Sequence, residues 1–272
     1  MRRSLLPGSD QLSVLVATIA LAYTLARVLA LPTRLVETTL LGAPVALLVN
    51  GDTVVLLLVA ALITSGSDAM LRSHPLWGGP PNALQLPAHW ILPALAAIGV
   101  GLLLQQLPVS PAWVVALLLG VLFLTLVLIA EYAQVDPAPA AQRTTRLLLG
   151  WLAYAAGLLH FGWLRAAAFG SATTVAIVFM VAATLAYRLA RLSAAGALPA
   201  AVSALVTGVI VAECAWLLAY WPVAPAAGAA VLVIALHVCS GLLREPLPIA
   251  RSALGGYAAA GAAALLLVLR AG

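Results

Sequence analysis

An all-α, polytopic transmembrane helix bundle of about nine spans is the fold this sequence predicts, and three observations predict it. Charged residues are 8% of the 272 and hydrophobic ones 64%. The few charges fall in short gaps between apolar runs of about twenty residues, the length a helix needs to cross a hydrocarbon core about 30 Å thick. All thirteen cations are arginines, none lysine, spread unevenly among the gaps. With no water in the bilayer core, each backbone group must bond within its own helix. A barrel is excluded because barrel strands alternate apolar and polar residues, whereas Val114 to Ala130 has no polar residue except Thr125.

In chain order, the first span is 11–31. The preceding Met1-Arg2-Arg3 and the Ala20-Leu21-Ala22 triplet resemble a secretory signal, but the apolar run continues past that triplet and reads as a retained helix. Residues 35–50 are apolar yet broken by Gly42, Pro44 and the Asn50-Gly51 turn signal. This segment is too short to span; it reads as an interfacial stretch, a small hairpin or a re-entrant half-helix. The second span, 52–70, closes on Arg72. The third and fourth, 88–106 and 112–134, are joined by the uncharged turn 107–111. The fifth, 147–168, follows Arg143 and Arg146, and the sixth, 172–192, ends on Arg188 and Arg191. The seventh and eighth, 199–221 and 224–242, meet at Pro222-Val223, and 252–270 is the ninth.

The arginines orient these spans. A cytoplasmic N-terminus places Arg2, Arg3, Arg72, Arg143, Arg146, Arg188, Arg191, Arg244 and Arg251 inside and leaves Arg27, Arg34, Arg165 and Arg270 outside. This satisfies the excess of cytoplasmic cations expected of membrane proteins, and it puts the C-terminus outside. The expected location is the bacterial cytoplasmic (inner) membrane.

The longest polar stretch, 71–87, is only a loop, so the chain reads as one transmembrane helical domain, 1–272, whose chemistry lies in or at the membrane. A net charge of +5 raises nucleic acid as a partner, which needs a basic patch. These arginines sit in ones and twos beside helix ends. They suit anionic headgroups instead, so the lipid bilayer and other membrane proteins are the expected partners. Cys214 and Cys239 lie in apolar runs without CxxC spacing and read as small buried residues. No metal is expected, and no cofactor is indicated. Small residues recur at Gly255, Gly256, Ala259, Ala260 and Gly261, and again at 226–230, at spacings that permit close helix approach in lipid. The turns 107–111 and 221–225 share a Pro-x-x-Pro pattern 114 positions apart, and at that offset Glu131 falls on Glu245. Transporters often contain such repeats, but chance alone accounts for two short turns.

An ionisable group inside a span costs about 2.5 to 3.5 kcal/mol on insertion scales and is a functional hypothesis by default. Glu213 in the seventh span and His160 in the fifth lie at similar depth. They could form an ion pair, a proton relay or a substrate site. Trp216 and Tyr220 follow Glu213 at helical spacing, as Trp163 follows His160. The alternative is that Glu213 is a structural hydrogen-bonding group and that the rings belong to the interfacial aromatic belt. Glu213 is expected to point inward toward His160, with Tyr154 or Tyr187 as other partners. A second, cytoplasmic cluster comprises Asp68, Arg72, His74, His89, Glu131, Tyr132 and Asp136. These residues converge on a headgroup or ligand, or are solvated helix ends that pair locally.

Several chemistries lack their residues. Without lysine there is neither a Schiff-base cofactor nor a Walker A loop. HExxH is absent, Val238-Cys239-Ser240-Gly241 misses GxSG at its first position, and no close Asp pair is present to hold Mg²⁺ and pyrophosphate. His160 and His237 fall on opposite sides of the midplane, which argues against bis-histidine haem.

The strings Leu71-Arg72-Ser73-His74-Pro75, Glu131-Tyr132-Ala133-Gln134-Val135-Asp136, Ala212-Glu213-Cys214-Ala215-Trp216 and Tyr220-Trp221-Pro222 resemble the motifs of an uncharacterised bacterial integral-membrane family, a domain of unknown function. The resemblance covers most of the chain. It implies no substrate or mechanism, only added weight on Glu213 and Glu131. Three functions follow in order of support: a non-enzymatic membrane subunit or scaffold, a proton-coupled permease using Glu213 and His160, and a membrane enzyme acting on a lipid or polyprenyl substrate at the cytoplasmic cluster.

Overall fold

The computed structural model describes residues 7–29, 34–40, 43–49, 51–76, 86–136, 138–167, 169–193, 196–245 and 251–271. Arg2, Arg3, Gly42, Asn50 and most of the 71–87 loop lie outside the described residues. The described residues are all-α apart from one hairpin. Its helices are α1 (Ser9–Val28), α2 (Gly51–Arg72), α3 (Leu86–Gln106), α4 (Pro111–Ala133), α5 (Pro139–Ala166), α6 (Ser171–Leu192), α7 (Ala197–Ala219), α8 (Pro225–Leu242) and α9 (Arg251–Ala271). Among the described residues, eight of these are long and apolar enough to cross a membrane, and α9 contributes the shorter apolar stretch Ala253–Leu267.

Proline supplies the start of three helices. Pro111, Pro139 and Pro225 sit in the first turn, where the missing N–H costs no hydrogen bond. Most spans agree with the apolar runs to within two or three residues. The exception is α5, which begins eight residues before the expected 147. The polar turn holding Gln142, Arg143 and Arg146 is helical, and Arg146 Nη2 donates to Gln142 Oε1 at 3.0 Å. Hydropathy sees the membrane-embedded part of a helix and misses its wet extension.

Between α1 and α2 stand β1 (Arg34–Leu40) and β2 (Ala43–Val49), an antiparallel pair in which Arg34 faces Val49 and Leu40 faces Ala43. The segment expected to be interfacial, hairpin or re-entrant is therefore a hairpin whose two ends are neighbours.

The contacts group the chain into two compact units. The first holds residues 1–77 and 93–136. In it α1, α2 and α4 pack on one another around Ile19, Ile63, Leu124 and Leu128, with the Pro93–Gln106 part of α3 alongside. Tyr23 Oη donates to the Ala97 carbonyl at 2.6 Å, and a Cβ on Gly101 would collide with Leu56. The second unit holds residues 78–92 and 137–272. Here α5 packs on α6 and α8, α7 on α6 and α8, and α9 on α8. At Gly208 α6 and α7 approach closely: a Cβ would lie 2.9 Å from Ala183 Cβ and 3.1 Å from the Phe179 ring. The small residues of α9 behave differently, because Gly255, Gly256 and Gly261 have open space where a Cβ would stand.

Both units are apolar outside as well as inside. In α4, Leu124, Val127 and Leu128 are buried while Leu118, Leu119 and Leu122 are more than half exposed. A water-soluble protein rarely shows so large a continuous apolar surface. A bilayer solvates it.

Candidate functional site

Glu213 does not face the bundle interior. The buried stripe of α7 runs through Ala204, Thr207, Gly208, Val211 and Ala215, with Ala212 beside it, and Gly208 packs against Ala183 and Phe179 of α6. At about 100° per residue, Glu213 falls two positions from both Val211 and Ala215 and so on the opposite side, where it is exposed. It lines a lateral groove of about 630 Å³ between α6 and α7, with Phe179, Met180, Val209, Trp216 and Tyr220. Trp216 Nε1–H donates to Tyr220 Oη at 3.1 Å. Among the described residues, the Glu213 carboxylate has no hydrogen-bond partner.

The expected pairing of Glu213 with His160 is corrected by this geometry. His160 is 4% exposed in the core of α5. Its Nδ1 lies 2.8 Å from the Ala156 carbonyl, which fixes the proton on Nδ1, and Nε2 is buried without a partner. Trp163 packs on Phe169 with centroids 5.3 Å apart. Tyr154, another expected partner of Glu213, is instead within 3.5 Å of Arg244 Nη2. Similar position along two helices says nothing about azimuth.

In the first unit, residues of the second cluster meet where α2 and α4 end. Asp68 and Arg72 form an i, i+4 ion pair at 2.8 Å, largely exposed on the arginine side. The His74 ring lies 4.5 Å from that of Tyr132, tilted by 60°, and its Nδ1 accepts the Leu76 N–H at 3.1 Å. Burial pushes His74 below the usual imidazole range, and the Asp136 carboxylate opposes that shift. Glu131 and Tyr132 are buried, as are His74 and Asp136. His89 is half-buried near the start of α3.

The sequence reading missed a cavity in the second unit. It measures about 670 Å³ where α5 begins and α6 and α8 end, lined by Gln142, Arg143, Arg146, Tyr154, His237 and Arg244 against Leu147 and Trp151. Arg244 donates through Nε to the Ser240 carbonyl at 2.7 Å and through Nη1 to the Leu189 carbonyl at 3.4 Å. The rings of Tyr154 and His237 meet edge-on at 5.2 Å, and the Tyr257 ring lies 5.8 Å from that of His237. In the sequence these arginines carry only an orientation signal. The pairing of α5 with α8 and α6 is needed before they converge.

Long apolar helices with apolar outer faces define a polytopic helical membrane protein. Residues 31–270 match the family described as protein of unknown function (DUF5656), and the chain belongs to that family. No curated protein and no solved structure matches it.

Proposed function

We propose that this chain is a non-enzymatic subunit of a membrane complex in the bacterial cytoplasmic membrane, N-terminus inside and C-terminus outside. In this reading it docks a transmembrane helix of a partner protein along the α6/α7 groove. The observation that carries this reading is the uncovered Glu213 carboxylate. A carboxylate facing hydrocarbon costs a few kcal/mol unless it is protonated, drawn to the interface or covered. The rest of the groove is mostly apolar, so the partner of matching chemistry presents a cation or hydrogen-bond donor at the Glu213 level. Proton-coupled transport is less well supported, because Glu213 lines an outside groove and His160 is sealed within α5. Lipid chemistry at the first unit's cluster is likewise disfavoured by the burial of His74, Glu131, Tyr132 and Asp136.

Purification from native membranes in mild detergent tests the proposal. The wild-type protein should elute within a larger complex of fixed composition. Glu213→Gln, which keeps hydrogen bonding, should retain it, while Glu213→Leu should release the partner. A wild-type protein that elutes alone, or a complex indifferent to Glu213→Leu, contradicts the reading. Elution as a homodimer would assign the groove to a second copy.

A further inference from the structure

We propose that the cavity at the start of α5 binds the phosphate group of an anionic membrane lipid. The site is not on the Glu213 groove and stands independently of the subunit reading.

The first argument is charge. Arg143, Arg146 and Arg244 line the cavity, and among the described residues none of the three forms an ion pair; Arg146 donates to the neutral Gln142 amide. Two carboxylates exist between residues 137 and 272, Glu213 and Glu245, against eight arginines. Glu245, the one near this end, accepts the Tyr257 hydroxyl at 3.4 Å. Guanidinium groups match phosphate oxygens in fork geometry. An anion placed here meets three cations, and no acidic side chain lines the cavity among the described residues.

The second argument is shape. A volume of about 670 Å³ lies within the usual range for small-molecule sites and far exceeds what a phosphate ion fills. The remaining wall is apolar, formed by Leu147 and Trp151, both mostly exposed on the lipid-facing side of α5. A polar floor joined to an apolar, laterally open wall suits a headgroup continued by acyl chains. Arginines at this depth also belong to the cytoplasmic side of the expected topology, where anionic lipids attract basic residues.

Gly150 provides a clean test, because it lines the cavity and has nothing within 4 Å of where a Cβ would stand. A leucine there projects into the cavity and narrows it without replacing any of the three arginines. Arg244 is unsuitable, since it also holds the Ser240 and Leu189 carbonyls.

Binding to the full chain in neutral detergent is measured by calorimetric titration with dihexanoyl phosphatidic acid, dihexanoyl phosphatidylcholine and inorganic phosphate. Phosphatidic acid should bind at least tenfold more tightly than either of the others. Replacing Arg143 and Arg146 together by Gln should weaken it about tenfold or more. Gly150→Leu should weaken it comparably at unchanged thermal stability. Equal affinity for inorganic phosphate would make the ligand a soluble anion and overturn the lipid assignment. No preference for phosphatidic acid over phosphatidylcholine, or no response to Gly150→Leu, would overturn the site.

Discussion

At the scale of single residues, glycine and histidine carry the clearest consequences. Gly208 sets the α6 to α7 distance, so Gly208→Val must push Ala183 and Phe179 aside. Overpacking of this kind costs about 1 to 3 kcal/mol; thermal stability in detergent should fall, while the same change at Gly255, where space is open, should be nearly silent. His74 links the first unit to pH. Its pKa is lowered by burial, so the unfolded chain takes up its proton more readily than the folded one. The stabilisation is present above the ordinary imidazole value of about 6.5 and is lost as pH falls from there through the lowered folded value. Thermal stability should therefore drop between pH 7.5 and pH 5.5, and His74→Phe should flatten that drop. Asp136→Asn, by removing the opposing carboxylate, should steepen it. The identity of these residues was legible in the sequence. The direction in which Glu213 points was not, because it depends on which stripe of α7 packs on α6.

At the scale of elements, the two units hold equivalent connections in the same way. In the first, α1 packs on α2 and α4, and α2 on α4; in the second, α5 packs on α6 and α8, and α6 on α8. Arg27, in the last turn of α1, donates to the Leu107 carbonyl at 2.9 Å in the α3–α4 turn. Arg165, in the last turn of α5, donates to the Leu218 and Val223 carbonyls, each at 3.1 Å, around the α7–α8 turn. These are the Pro-x-x-Pro turns whose likeness in sequence alone did not outweigh chance. In each case a guanidinium ties the end of one helix to backbone carbonyls of the turn between two others. This device also explains two of the four arginines on the outside of the expected topology: they are anchors for turns. Charged hydrogen bonds contribute about 1.5 to 3 kcal/mol each, discounted here because Arg165 is only half-buried. Arg165→Met should lower thermal stability by a few degrees. Gly228→Ala, whose Cβ would stand 2.9 Å from Arg165 Nε, should give a smaller loss of the same kind. For the β1/β2 hairpin, the pairing of Arg34 with Val49 means that cysteines introduced at Leu35 and Asn50, in a chain with Cys214 and Cys239 replaced, should label from one side of the membrane.

For the whole molecule, the span boundaries were readable because the bilayer imposes a length and a composition on every helix. What sequence could not supply was convergence: which helices pack together, and hence that Arg143, Arg146 and Arg244 share a cavity while Glu213 and His160 share nothing. Reporter fusions at Pro139 and Ser193 should read cytoplasmic and one at Gly272 external if the arginines orient the chain as expected; an external signal at Pro139 or Ser193 contradicts that orientation. The subunit reading is tested most directly by photo-crosslinking in native membranes. A photoreactive residue at Val209 or Met180, in the groove beside Glu213, is compared with one at Leu119, exposed on α4 of the first unit. A discrete protein adduct from Val209 and Met180, absent at Leu119 and lost on Glu213→Leu, is the predicted result. Lipid adducts alone at all three positions would show the groove open to the bilayer and contradict the account.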